Sequence, residues 1–186
     1  MKRFILKLQL NNRFDLINHL SDIGFTFGEA YYQHDRVFVP RDYKENHNYP
    51  RLTLRTEVRG KNPPVYKLSL RRHIEDSGID IIEMTPVLDY LASANLIAQL
   101  GFTLRSEISR ERRALELSKD LRMYLDKVEG LTGEYLKFET DLSPDDKVSA
   151  VKKDLEATLA TLGQPLSDLI SSPYTDLLSL YSKPTS

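Results

Sequence analysis

GFTLRSEISRERR, residues Gly101 to Arg113, is the stretch on which the reading of this chain turns. Helix-like sequence runs up to Leu100, Gly101 breaks it, and the residues after it read as a strand. Side chains alternate faces along a strand, so Ile108, Arg110 and Arg112 share one face and Glu107, Ser109 and Glu111 the other. Two arginines side by side repel each other. Such a face is either solvated or set opposite an anion, and the choice depends on what other strands add to the same surface.

The totals narrow the field. A length of 186 residues, 40% hydrophobic and 28% charged, is that of an ordinary globular chain with a core large enough to need no staple. The absence of cysteine excludes disulfides and thiolate metal sites and fits a reducing, cytoplasmic setting. The opening MKRFILKLQL is too short and too often interrupted by polar residues for a signal peptide, and no apolar run reaches membrane-spanning length. A net charge of -1 sets up no field that recruits nucleic acid, so any anion site has to come from local sorting of charge.

Working outward, residues 3–10 alternate, with Phe4, Leu6, Leu8 and Leu10 on one face and Arg3, Ile5, Lys7 and Gln9 on the other. Asn12 predicts a helix cap, Leu16, Ile17, Leu20 and Ile23 an apolar stripe, and Gly24 the end of that helix. Residues 25–40 suggest a hairpin turning near His34 to Arg36, and 41–50 a surface loop. Two more alternating strands hold Leu52 and Leu54, then Tyr66, Leu68 and Leu70. After an apolar run from Ile79 to Met84, Thr85-Pro86 predicts a helix start. HLSDIGFTF and LIAQLGFTL then stand out as similar helix ends feeding strands, which suggests two related halves and a sheet closed into a barrel. Strands are expected near 103–112, 113–118, 121–128 and 134–141. Leu142-Ser-Pro-Asp-Asp predicts a helix start for a stripe from Val148 to Leu162, with shorter helical pieces at Leu166 to Ile170 and Tyr174 to Tyr181 and a frayed end from Lys183. The expected class is α+β: an antiparallel barrel of about eight strands with two helices over 1–142 and C-terminal helices over 143–182, one domain over 1–186.

The faces opposite the aliphatic residues carry Arg3, Lys7, Gln9, Arg51, Thr53, Arg55, Glu57, Lys67, Ser69 and Arg71, then Arg110, Arg112, Arg122, Tyr124, Asp126, Lys137 and Glu139. Cations outnumber acids there in a chain that is nearly neutral. On an open sheet this is a solvated face, which alternation alone fits more readily because half-exposed antiparallel sheets are common. In a closed barrel it is a cation-lined interior that calls for an anion or buried water. The four histidines are scattered, and neither a Gly-rich phosphate loop nor a zinc spacing occurs.

The order and spacing of short motifs resembles the CYTH superfamily, which holds class IV adenylyl cyclases, thiamine triphosphatases and other triphosphate-tunnel enzymes. Gln33-His34-Asp35 before Val37-Phe38 is similar to its Q-x-D-x-Y-F, Leu54-Arg55 to the end of L-R-I-R, and Leu68 to Arg71 occupies the place of a threonine, an aromatic residue and a lysine. Leu100-Gly101-Phe102 followed by Ile108, Arg110 and Arg112 resembles L-G-F and V-x-K-x-R. Leu125-Asp126-x-Val128 resembles L-D-x-V, Leu131 to Glu139 resembles L-G-x-F-x-E-x-E, and Ser171 to Leu178 resembles the closing S-Y-x-x-L. The resemblance implies phosphate-binding roles for Lys7, Arg55, Arg71, Arg110 and Arg112, and metal-binding roles for Glu83, Asp126 and Glu139 unless Asp80 substitutes in the middle pair.

Departures from that pattern bear on activity. The opening E-x-E-x-K reads Arg3, Ile5 and Lys7, and the closing E-x-E reads Lys137 and Glu139. Three acids are therefore missing while the cations remain. The implied function is a tunnel that holds a triphosphate, nucleotide or polyphosphate with weak or absent turnover. Its alternatives are an active cyclase or triphosphatase using magnesium or manganese, and a non-catalytic interaction domain. A homodimer is a further expectation, and neither a membrane nor a nucleic acid is an expected partner.

Overall fold

The computed structural model describes residues 2–44, 50–74, 79–164, 169–170 and 172–181. Eight strands, β1 (Lys2–Leu10), β2 (Tyr31–Pro40), β3 (Arg51–Val58), β4 (Val65–Ile74), β5 (Ile79–Val87), β6 (Phe102–Glu116), β7 (Leu121–Val128) and β8 (Glu134–Leu142), close into a barrel in the order β1-β5-β4-β3-β2-β6-β7-β8. Every pairing is antiparallel. With α1 (Arg13–Asp22), α2 (Tyr90–Gln99), α3 (Val148–Thr161) and α4 (Tyr174–Tyr181), the fold is α+β.

Most of the apolar core lies outside the barrel wall, between strands and helices, and a smaller cluster around Val37, Ile108 and Val128 lies within it. Phe4, Leu8, Leu125, Leu136 and Phe138 point outward and meet Leu16 and Leu20 of α1 and Leu155 and Leu159 of α3. On the far side, Phe38 and Leu54 meet Ile97 of α2. Because the aliphatic set takes the outer face, the alternating polar set is turned inward. Leu136 is fully buried between β1 and β7. We expect Leu136→Ala to lower stability by about 2–5 kcal/mol in urea unfolding, the range for truncating a leucine in a packed core. A loss below about 1 kcal/mol would show that the outer layer is loosely packed.

Two halves of like construction make up the ring, β1-α1-β2-β3-β4 and β5-α2-β6-β7-β8. Exchanging each strand for its counterpart in the other half leaves the neighbour order unchanged. One offset of 77 residues relates Gly24 to Gly101, which end the two helices with φ of 86° and 89°, a region that disfavours any residue with a Cβ. The same offset relates Gln33 to Arg110 and Arg3 to Asp80, and each of these pairs is directly opposed across a strand contact between halves. The similarity of the two glycine-ended segments is thus a property of the whole architecture.

Several boundaries differ from the sequence reading. Residues 31–40 form one strand with no turn at His34 to Arg36; Asp35, at the centre of the expected turn, faces a polar interior together with Gln33. Residues 103–118 are not two strands, since β6 runs unbroken for 15 residues. Thr85 and Pro86 belong to β5, and α2 begins after Asp89, whose carboxylate accepts from the Ala92 N–H. The helix start foreseen at Leu142 is the end of β8 followed by a turn in which Asp146 accepts from the Ser143 N–H; α3 begins at Val148. Leu169 bridges to Leu8 of β1 instead of joining a helix. Leu166, residues 45–49 of the 41–50 loop, part of the 73–78 turn and the tail from Lys183 lie outside the described residues.

Candidate functional site: a cation-lined cavity

Register places the inward residues in layers. Arg3 of β1 is opposed by Asp80 and Asp141, Lys7 by Lys137, Asp35 by Arg55 and Ile108, Arg51 by Arg71, and Arg112 by Asp126. A cavity of about 930 Å³ opens among them. Its lining includes Lys7, Arg51, Arg55, Arg71, Arg110, Lys137 and Lys152 against two acids, Asp35 and Asp80. Both acids are held by arginines. Arg55 donates two hydrogen bonds to Asp35, at 2.6 and 2.8 Å, and Arg110 adds a third at 2.7 Å. Arg71 lies 3.5 Å from Asp80.

The wall is completed by the C-terminal segment. β1 pairs with β5 over only three residues, Lys2 to Phe4. Beyond them the Ile170 N–H donates to the Lys7 carbonyl at 2.7 Å, Leu169 bridges Leu8, and the Lys7 ammonium donates to the Ser172 carbonyl. Tyr174, the first residue of α4, extends into the barrel. Its ring lies 4.4 Å from the Lys7 ammonium and its hydroxyl donates to Asp126 at 3.0 Å. Tyr174 and α4 pack on inward Val37, Ile108, Val128 and Tyr135, so that this helix stands over one end of the barrel.

Glu57 accepts from Gln33, Arg59 and Lys67, and two further networks engage Asp126, Glu139 and Asp141. Arg112 donates two 2.6 Å bonds to Asp126, which is fully buried. Glu139 accepts from Arg3 at 2.7 Å and from Lys137, and Asp141 accepts from Arg3 and Arg122. Burial raises the Asp35 and Glu139 carboxyls, but Arg110 and Arg55 around the first, and Lys137 and Arg3 around the second, outweigh it and hold both well below the usual carboxylate range. The amines are lowered as well, which for them disfavours the charged form. Burial, reinforced by Arg112 and Arg71 and opposed by Glu139, brings Lys137 down to about 7. Burial, with a contribution from Arg71 and against Asp126 and Asp176, brings Lys7 down to about 8. Arg51 is lowered by burial and by Arg71 opposite it.

Of the five cations singled out in the sequence, Lys7, Arg55, Arg71 and Arg110 line the cavity, and Arg112 lies behind it, bound to Asp126. Of the three acids, Asp126 and Glu139 are inside and fully engaged by cations. Glu83 is a correction: it pairs with Leu70 on the outer face of β5 and is exposed, while Asp80, three residues earlier, is the acid that β5 turns inward. The sequence reading missed Asp35, the centre of the arginine cluster, because it sat in the supposed turn; its alternation with Gln33 and Val37 was the signal available. Arg51 and Lys152 also join the lining.

A magnesium or manganese ion requires a shell of oxygen ligands. Among the described residues no three acids or histidines cluster to supply one. The oxygens of Asp126 and Glu139 are already bonded to Arg112, Tyr174, Lys137 and Arg3. The residues present do not fit either metal.

A closed eight-strand antiparallel ring with a polar interior and helices outside is a tunnel-type barrel, and proteins of known structure share this fold. A Pyrococcus horikoshii protein of known structure matches with a TM-score of 0.82 at 20% identity, over 96% of this chain and 98% of its own. A candidate adenylate cyclase from Vibrio parahaemolyticus matches at 0.80 with 15% identity, over 95% and 97%. A Hippeastrum candidate adenylyl cyclase, reported to have a dominant triphosphatase activity, matches at 0.63 with 17% identity, over 100% and 98%. No family profile and no curated protein matches the sequence. None of the described helices is long and apolar enough to cross a membrane.

Lys137 gives the cavity a testable pH response. In the free protein its amine loses its proton as pH rises through about 7. A polyanion in contact favours the charged form, so binding takes up a proton and tightens as pH falls. We expect the affinity of wild type relative to Lys137→Met to rise about tenfold from pH 8 to pH 6. The ratio cancels the ligand's own titration, and a ratio independent of pH would remove Lys137 from contact with the anion.

Proposed function

We propose that the barrel binds a polyphosphate anion, an inorganic triphosphate or a nucleoside triphosphate, by direct contact with its cations and with little metal-dependent turnover. The supporting observation is the lining itself: seven cations around about 930 Å³, with only two acids, each already bonded to arginine. An anion with several phosphates supplies the missing negative charge. Arginine forks match phosphate oxygens, and such charge-assisted bonds are roughly twice as strong as neutral ones. Bound phosphate would also recharge Lys7 and Lys137, whose protons burial now disfavours.

Phosphoryl transfer rests on positioning and on neutralising developing charge. Fixed arginines can neutralise. Asp35, Asp126 and Glu139 are each engaged by cations that hold their carboxyls below the ordinary value, which makes them poor acceptors of a proton from an attacking water or hydroxyl, and Asp80 is paired with Arg71. No metal ligand set forms among the described residues, so binding without efficient chemistry is the reading these residues favour. Product formation from ATP and from inorganic triphosphate with manganese is the test. The expected result is turnover indistinguishable from an Arg55→Met, Arg110→Met control; robust turnover that this control abolishes would establish an enzyme.

A further inference from the structure

The outer face of α2 differs from its counterpart within the same chain. α1 and α2 are ten residues each, start 77 positions apart at Arg13 and Tyr90, and are each capped by the side chain just before them, Asn12 and Asp89. Their inward positions agree, with Leu20 and Ile97 both buried. Their outward positions do not. Where α1 exposes Asp15, His19 and Asp22, α2 exposes Ala92, Leu96 and Gln99. From Tyr90 to Leu104 no residue is charged, in a chain that is 28% charged. Ala92 and Leu96 lie one turn apart on α2, and Leu88 and Leu100 flank it before the cap and at its C-terminal end, with the leucines 101%, 60% and 65% exposed. Leu88 sits before the cap, where an apolar residue ordinarily folds back on the first turns, yet it stands fully in solvent.

We propose that this face packs against the same face of a second copy of the chain, α2 against α2 across a two-fold axis. Ridges of i, i+4 residues interdigitate with one another, and a two-fold contact makes a surface its own complement. From residue 88 to 104 the one charge is Asp89, whose carboxylate already accepts from the Ala92 N–H at the helix start, and a net charge of -1 sets up little repulsion between copies. The area is sufficient. Leu88, Leu91, Leu96, Leu100 and Leu104 offer roughly 350 Å² of apolar side chain at on the order of 100 Å² per fully exposed leucine. That already lies within the range of about 300–600 Å² for the largest patch on a typical monomer. Ala92, Ala98 and the aliphatic parts of Asn95 and Gln99 bring the contact to roughly 1,000 Å² in all, where specific interfaces begin, so the dimer is weak and forms at micromolar concentration.

Sedimentation velocity of the full chain from about 2 to 200 μM tests this. The expected mass rises from 21.5 kDa toward twice that value in wild type and stays at 21.5 kDa in Leu91→Glu, Leu96→Glu. Because the chain has no cysteine, a second arm needs no disruptive change. Asn95→Cys at the centre of the face oxidises to a linked dimer at least about tenfold faster than Asn18→Cys, its exposed counterpart on α1. A wild-type chain still monomeric at the highest concentration overturns the proposal, even if lipid vesicles or another protein then cover the face. Dimerisation undiminished in the glutamate variant, or equal cross-linking at the two cysteines, overturns it too.

Discussion

Asp126→Ala should destabilise the fold by about 3–5 kcal/mol, the cost of leaving a buried charge without its partner. Asp126 is fully buried and Arg112 is 3% exposed, so no water reaches the guanidinium once the carboxylate is gone. Two 2.6 Å bonds from Arg112 disappear, and the Tyr174 hydroxyl loses its acceptor. The loss should fall mainly on the single variant. Replacing both partners, Asp126→Leu with Arg112→Met, removes the stranded charge and should recover most of the stability, because a buried pair is often no better than apolar side chains of similar size. Urea unfolding of the two singles and the double separates these terms. The pH dependence has a fixed sign. Burial raises the Asp126 carboxyl, but Arg112 outweighs it and holds it below its ordinary value, so its contribution is present above about pH 4 and is lost as pH falls further. A loss under about 1 kcal/mol for Asp126→Ala would mean that the site takes up water and that the ion pair is no buried anchor.

The second large effect has opposite signs on stability and on binding. Arg51 and Arg71 are directly opposed across β3 and β4, and Arg51 is lowered by burial and by that neighbour. Like charges directly opposite destabilise a sheet. Arg51→Ala, which keeps the Arg71–Asp80 pair, should therefore leave the unliganded protein at least as stable as wild type. The same change removes one charge-assisted contact to a bound polyanion, of about 1.5–3 kcal/mol, and should weaken triphosphate binding by about tenfold or more. Thermal unfolding with and without triphosphate reads both effects in one experiment. A variant that loses stability and keeps its affinity would show that Arg51 belongs to the architecture and not to a ligand site.

Most of what was legible in the sequence came from one rule, alternation. Phe4, Leu8, Leu54 and Leu136 announced an apolar face, and their odd-numbered neighbours Lys7, Arg55 and Lys137 came out on the other side as parity requires. Closure of the sheet was hinted at by the two Gly-Phe-Thr segments, whose offset of 77 residues also relates the opposed pairs Gln33 with Arg110 and Arg3 with Asp80. Legibility failed where polar residues serve an interior. Asp35 looked like a turn residue because a polar stretch usually marks solvent, and here it marks the inside of a barrel. Glu83 was singled out because the resemblance set the middle acid pair at Ile81 and Glu83, whereas β5 turns the opposite parity, that of Asp80, inward. The placing of Leu169 and Ile170 along the edge of β1 was not foreseen, since it is decided by where β5 stops pairing.

Titration calorimetry of inorganic triphosphate into the protein in EDTA bears most directly on the central claim, that fixed cations and not metal ions hold the ligand. The cavity predicts one site of micromolar or tighter affinity that persists without metal, is lost in Arg55→Met, Arg110→Met, and weakens as salt is raised because screening acts on partly hydrated cations. Absence of binding in EDTA, with binding restored by magnesium or manganese, would contradict it.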